Sequence, residues 1–147
     1  MGTRKRIGVR IYIDGGARGN PGPAAAGIVI RSADDQTVLH EAGLFLGETT
    51  NNVAEYSALL AGLRAARRLG AVEAEVFSDS ELLVRQMTGE YRVRNEGLQP
   101  LHAEAQGLTR AFERFGIRHV RRDDNKDADR LANLAMNRKA NVEDAAE

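Results

Sequence analysis

The chain has 147 residues, 42% of them hydrophobic, which fits one domain with a core of its own and excludes a disordered chain. It holds no cysteine, which excludes a disulfide framework, thiolate zinc sites and a cysteine nucleophile, and fits a reducing, cytoplasmic setting. Lys plus Arg and Asp plus Glu balance at 21 each, and no long apolar stretch follows the basic residues 1–6, so neither a signal peptide nor a membrane span is expected.

The basic opening reads as a solvated tail rather than a nucleic-acid contact. Neutral net charge argues at first sight against a nucleic-acid partner. Distribution matters more than the sum, however. Residues 141–147 carry Glu143, Asp144 and Glu147 without a base, and a metal site would absorb several more carboxylates. The balance leaves the question open.

In chain order, residues 7–13 alternate and are rich in β-branched types, which predicts a strand ending at Asp14. Residues 15–23 are turn material, full of Gly and Pro. Residues 24–31 and 37–46 predict two more strands with Asp34-Asp35 in the turn between them, an antiparallel meander. From Asn52 the period changes to that of a helix, with Val53, Tyr56, Leu59, Leu60, Leu63 and Ala66 on one face and Gly70 at its end. Residues 74–78 predict a strand ending at Asp79, and residues 81–87 a short helix. Residues 98–114 predict an amphipathic helix broken by Gly116, residues 117–121 a last strand, and residues 125–138 a last helix. The expected architecture is α/β: a five-stranded mixed sheet, a three-strand meander beside two parallel strands, flanked by helices. Residues 1–138 make the domain and residues 139–147 a disordered acidic tail.

Four acids stand at positions where such a fold places a site. Each has an ordinary explanation: Asp14 as a turn starter, Asp79 as a helix cap with Ser78 and Glu81, Glu55 as the third helical residue behind an Asn52 cap, and Asp129 as a complement to the dipole of the last helix. Geometry adds another. Asp14 and Asp79 both end strands, and ligand sites in α/β sheets lie beyond the carboxyl ends of strands. The helix starts would bring Glu55 and Asp129 to the same edge. Unpaired acids gathered there would repel one another, and divalent cations such as Mg²⁺ or Mn²⁺ would remove that cost. Two such ions roughly 4 Å apart support phosphodiester hydrolysis.

The motifs sharpen this. Residues 14–23 (DGGARGNPGP), 49–56 (TTNNVAEY), 78–80 (SDS) with 84–86 (VRQ), and 125–132 (NKDADRLA) resemble, in order, the four motifs of the ribonuclease H type I family. The resemblance runs from about Ile11 to Leu134. It implies an RNase H-like fold and an endonuclease that hydrolyses the RNA strand of RNA–DNA hybrids by a two-metal-ion mechanism, leaving 3′-hydroxyl and 5′-phosphate ends. It implies that Asp14, Glu55, Asp79 and Asp129 are the catalytic, metal-binding set, holding two Mg²⁺ (or Mn²⁺) ions. Asp127 competes with Asp129; the motif register favours Asp129, which directly precedes Arg-Leu-Ala. Asn20, Thr50, Asn51 and Asn52 match the family's hybrid contacts, and Arg94 is the candidate phosphate contact beside the solvated-arginine alternative. Amides both donate and accept, which suits 2′-hydroxyls and base edges.

The sequence departs from the family in two places. Only residues 88–99 stand where some members carry a longer basic insertion, with Arg92 and Arg94 as bases. The loop before the last helix reads Arg122-Asp123-Asp124 where many members place a His; His119 reads as a strand residue, and His40 and His102 have no evident role. The opening glycines lack the G-x-x-x-x-G-K-[ST] pattern and precede a strand, so no nucleotide cofactor is expected. A monomer with an RNA–DNA hybrid as partner is the expected state.

Overall fold

The computed structural model describes residues 6–143. The basic opening, Arg6 apart, and the acidic end from Asp144 lie outside the described residues. Arg6 itself pairs with Glu113. In chain order the elements are β1 (Ile7–Ala17), β2 (Gly22–Ser32), β3 (Val38–Thr49), α1 (Asn51–Arg68), β4 (Ala71–Ser78), α2 (Glu81–Met87), α3 (Gln99–Thr109), β5 (Arg114–His119), a 3-10 turn (Arg122–Asn125), α4 (Lys126–Arg138) and β6 (Val142–Glu143).

The strands form one sheet in the order β5-β4-β1-β2-β3-β6. β1, β2 and β3 pair antiparallel as the meander, while β4 and β5 run parallel to β1. Alternation along β1 places Ile11 and Ile13, fully buried, on the face that α1 covers. There Gly62 of α1 lets the helix settle on the side chains of Ile11, Ile13 and Ile28. Leu59, Leu63, Val76, Leu83 and Phe112 complete this core. Each fully buried aliphatic side chain contributes about 1.5–3 kcal/mol.

α4 covers the other face, over β2 and β3, with Ala25, Ala132, Ala135 and Met136 between the layers. Two facing glycines, paired in the ladder, permit it: a Cβ on Gly27 would stand 1.9 Å from the Ala128 carbonyl oxygen, and one on Gly43 would stand 2.3 Å from that of Leu131.

The sheet has six strands where five were expected. Lys139 ends α4 in the left-handed region, Asn141 Oδ1 accepts the Phe45 N–H at 2.8 Å, and Val142–Glu143 pair with the outer edge of β3. Two residues carry no periodicity, so the composition of this segment suggested only a tail. Other bounds shift too. β1 continues through Gly15-Gly16 to Ala17, because glycines still form a ladder with Ala25 and Ala26. α3 stops at Thr109, and β5 begins at Arg114, since Glu113 N–H already bonds to the Val72 carbonyl at 2.7 Å. Among the described residues no helix is long and apolar enough to cross a membrane.

Candidate active site

The β1–β4 ladder ends at Ile13↔Ser78, and the β4–β5 ladder at Ser78↔His119. Asp14 and Asp79 each follow the last parallel pair, so the two carboxylates leave adjacent strands side by side. α1 begins close by and crosses β1 at Gly15, where a Cβ would stand 2.3 Å from the Ala54 carbonyl; only glycine admits the helix there. The crossing brings Glu55 to the strand end, and its Oε1 accepts the Gly15 N–H at 2.9 Å. Asp14 also faces Gly27 across the antiparallel ladder, and Ala128 of α4 rests on Gly27, so the next residue, Asp129, joins the group. Asn125 ties the start of α4 to this edge by donating Nδ2 to the Ile13 carbonyl at 2.8 Å.

The result is a cleft of about 580 Å³ lined by Asp14, Glu55, Asp79 and Asp129, with Asn51, His119 and Arg122 at its walls. Carboxylate oxygens of Asp14, Glu55 and Asp79 lie within 4.8 Å of one another. Burial, and then the charges of Asp79 and Asp129, push the Asp14 carboxyl up to about 8, with Arg122 opposing. Burial, and then Asp14 and Asp79, push Glu55 up to about 9 against the Gly15 hydrogen bond. Asp79 is raised by burial and Asp129, while Arg122, Asn125 and His119 act the other way. Half-buried acids that raise one another's pKa are a poor way to build a stable fold and a good way to build a cation site. The close donors are all carboxylate oxygens, which suits a hard divalent cation such as Mg²⁺ or Mn²⁺ and not a thiolate- or imidazole-seeking metal.

A family profile described as reverse transcriptase-like matches residues 12–135. The bifunctional protein Rv2228c of Mycobacterium tuberculosis is 51% identical over 128 residues, which are 87% of this chain and 35% of that protein. The solved N-terminal RNase H domain of Rv2228c, fused to maltose binding protein, matches at a TM-score of 0.87 and 49% identity over 90% of this chain and 95% of that one. RNase H1 of the halophilic archaeon Halobacterium salinarum matches at 0.86 and 41% identity, over 89% of this chain and 98% of its own. The chain belongs to the ribonuclease H type I family. LC11-RNase H1, solved in complex with an RNA/DNA hybrid, shares the family fold at a TM-score of 0.84 and 41% identity, covering 89% and 98% of the two chains. This ribonuclease H-type chain spans about a third of the length of Rv2228c.

Within the ribonuclease H fold, the capping explanations for Glu55 and Asp79 give way, while Asp129 does lie in the first turn of α4. Thr50, not Asn52, caps α1, its hydroxyl accepting the Val53 N–H, so Glu55 lies beyond the first turn and has no capping role. Ser80, not Asp79, caps α2 by accepting the Leu83 N–H. Asp127 points away from the cleft and pairs with Arg31 at 2.9 Å, whereas Asp129 lines the cleft.

The expected substrate residues are distributed unevenly. Asn51 lines the cleft and its Oδ1 accepts the Ala17 N–H at 2.7 Å; Asn20 Oδ1 accepts the Asn51 N–H at 3.0 Å. Both amide oxygens are thus engaged by backbone donors, and both NH₂ groups are left for outside acceptors. Asn52 is exposed on the first turn of α1. Arg94 is exposed in the loop between α2 and α3, outside the cleft. Sequence reasoning passed over Arg18, His119, Arg122 and Asn133, which also line the cleft. His119 ends β5 and so reaches the same edge as Asp79, whereas the expected strand 117–121 had placed it mid-strand. For Arg122 the position before the last helix was the available clue.

Proposed function

We propose that this chain is a divalent-metal-dependent endoribonuclease that hydrolyses the RNA strand of RNA–DNA hybrids. The observation that carries the reading is the convergence of Asp14, Glu55 and Asp79, with oxygens within 4.8 Å, at the carboxyl edge of a ribonuclease H sheet. Asp14, Glu55, Asp79 and Asp129 hold Mg²⁺, or Mn²⁺, as two ions. Bound there, the ions supply activation of the attacking water and stabilisation of the departing 3′ oxygen, which yields 3′-hydroxyl and 5′-phosphate ends.

The protein's own groups do the rest. Arg122 offsets the charge of Asp14 and Asp79. The outward amides of Asn20 and Asn51, with Asn52 beside them, offer donors to minor-groove acceptors and 2′-hydroxyls, which separates RNA from DNA. The Thr50 hydroxyl accepts from Val53 and still has its proton to donate to a phosphate. Arg94 supplies a cation for the hybrid's backbone. The complex of LC11-RNase H1 with an RNA/DNA hybrid supports this choice of substrate. We place the enzyme in the cytoplasm as a monomer.

The test is a substrate panel of labelled hybrid, duplex RNA and duplex DNA, with Mg²⁺ and with EDTA. The expected result is Mg²⁺-dependent cleavage of the RNA in the hybrid alone, with 5′-phosphate ends, lost in Asp14→Asn. Undiminished cleavage by that variant, or equal cleavage of duplex DNA, would overturn the reading.

A further inference from the structure

α3 packs on the core through Leu101, Ala105 and Leu108, and meets the end of α2 and the loop after it through a separate polar stripe. Gln99, His102 and Gln106, spaced three and four apart, share one face of the helix. Gln99 Nε2 donates to the Val93 carbonyl at 3.1 Å, and Gln106 Nε2 to the Met87 carbonyl at 3.1 Å. His102 Nε2 stands 3.2 Å from the Gln86 carbonyl, which can only accept, so the ring proton sits on Nε2 in that contact. The same nitrogen is 3.3 Å from Gln106 Nε2, and the other tautomer hands His102 to that amide. Every backbone acceptor here belongs to the last turn of α2 or the loop after it.

That segment needs outside support. α2 has seven residues, too few to be stable alone, and its last carbonyls take their bonds from the chain just after it, Val84 from Thr88 at 2.9 Å and Gln86 from Gly89 at 3.3 Å. The loop that follows has no regular structure until α3. Its first half is held by Arg85, whose carbonyl accepts the Tyr91 N–H at 3.0 Å and whose guanidinium pairs with Glu90 and lies over the Tyr91 ring. The buried Gln86 side chain accepts the Tyr56 hydroxyl at 2.7 Å, and Tyr56 follows Glu55 on α1. Hydrogen bonds therefore tie α1 to α2 through Tyr56 and Gln86, and α3 both to the end of α2 through His102 and Gln106 and to the loop that carries Arg92 and Arg94 through Gln99. Directional bonds to carbonyls orient such a loop; apolar contact would only hold it near.

We propose that Gln86, Gln99, His102 and Gln106 are positioning residues that hold the loop at a set reach from Glu55, so that Arg92 and Arg94 meet the hybrid's backbone in register with the carboxylates. This rests on the hybrid-cleaving reading. None of the four touches the reacting atoms, so their loss acts on binding rather than chemistry.

The test compares wild type with Gln99→Met/Gln106→Met, which keeps side-chain bulk and deletes both amide donors at positions that are exposed or half-buried. The expected result is a KM for hybrid raised about tenfold with kcat within about twofold. Backbone amides of residues 88–95 should exchange with solvent faster in the same variant. His102→Gln, which keeps a donor, should stay near wild type, while His102→Leu should follow the double variant. Unchanged KM in a double variant that still folds, or unchanged exchange in the loop, would overturn the proposal. A wild type that fails to cut hybrid refutes the enzymatic reading; a wild type that cuts, with a double variant of unaltered KM, refutes this proposal alone.

Discussion

Asp127 and Asp129 stand two residues apart on α4 and face different surroundings: one meets Arg31, the other Asp14. Asp127→Asn should leave hybrid cleavage within about twofold and cost at most about 1 kcal/mol, since its ion pair is half exposed. Asp129→Asn should lower turnover at least about a hundredfold; parallel steady-state assays of the two check this. Asp14 and Glu55 bear on stability as well. Their ordinary values are 3.8 and 4.5, and in the folded chain they rise to about 8 and about 9. Between those limits the folded state holds more protons than the unfolded one. Stability is therefore fully present below about pH 4 and is lost as pH rises through 8 and 9. In cation-free buffer, thermal melts should show the midpoint falling from pH 5 to pH 9. Glu55→Gln should flatten that slope and, at pH 8, gain roughly 1 kcal/mol, about 3–4 °C at this size.

At the scale of elements, the site depends on where α4 lies, and α4 lies where glycines let it. Gly27→Ala would press a methyl into the Ala128 carbonyl. It should cost about 1–3 kcal/mol by overpacking and reduce activity by displacing Asp129 from Asp14; melting temperature and turnover, measured together, check both effects. This dependence also marks what sequence could reveal. Periodicity exposed α1 and the hydrophobic strands, because burial on one face leaves a trace at every second or every third to fourth position. The acids stood out as strand-end and helix-start residues, and the four motifs singled them out in family order. The contribution of Gly27 and Gly43 stayed hidden, because a glycine in a strand looks the same whether a helix or solvent lies above it. The capping assignments at Asn52 and Asp79 failed for a related reason. In Thr-Thr-Asn-Asn and Ser-Asp-Ser several neighbours are equally good caps, and the chain's entry angle decides among them. Arg122 was legible only as a place where a family His is missing.

Over the whole molecule, the sheet's outer edge and its charge both matter. β6 and Asn141 cover part of the exposed edge of β3. Ending the chain after Lys139 should leave cleavage intact, lower the melting temperature by a few degrees and promote association at high concentration, as uncovered edges do; melts and light scattering read these out. Net charge is zero, yet acids gather in the cleft while Arg92 and Arg94 stand free of carboxylate partners among the described residues. The neutral sum thus hides a division between an acidic cleft and a basic loop. The central claim is that the carboxyl cluster tolerates its own proximity through divalent cations. Calorimetric titration of Mn²⁺ into the protein at pH 7, in two buffers of different ionisation enthalpy, tests it most directly. The expected result is saturable binding with release of about one to two protons per chain, abolished in Asp14→Asn/Glu55→Gln. Binding without proton release, or binding undisturbed in that variant, would contradict it.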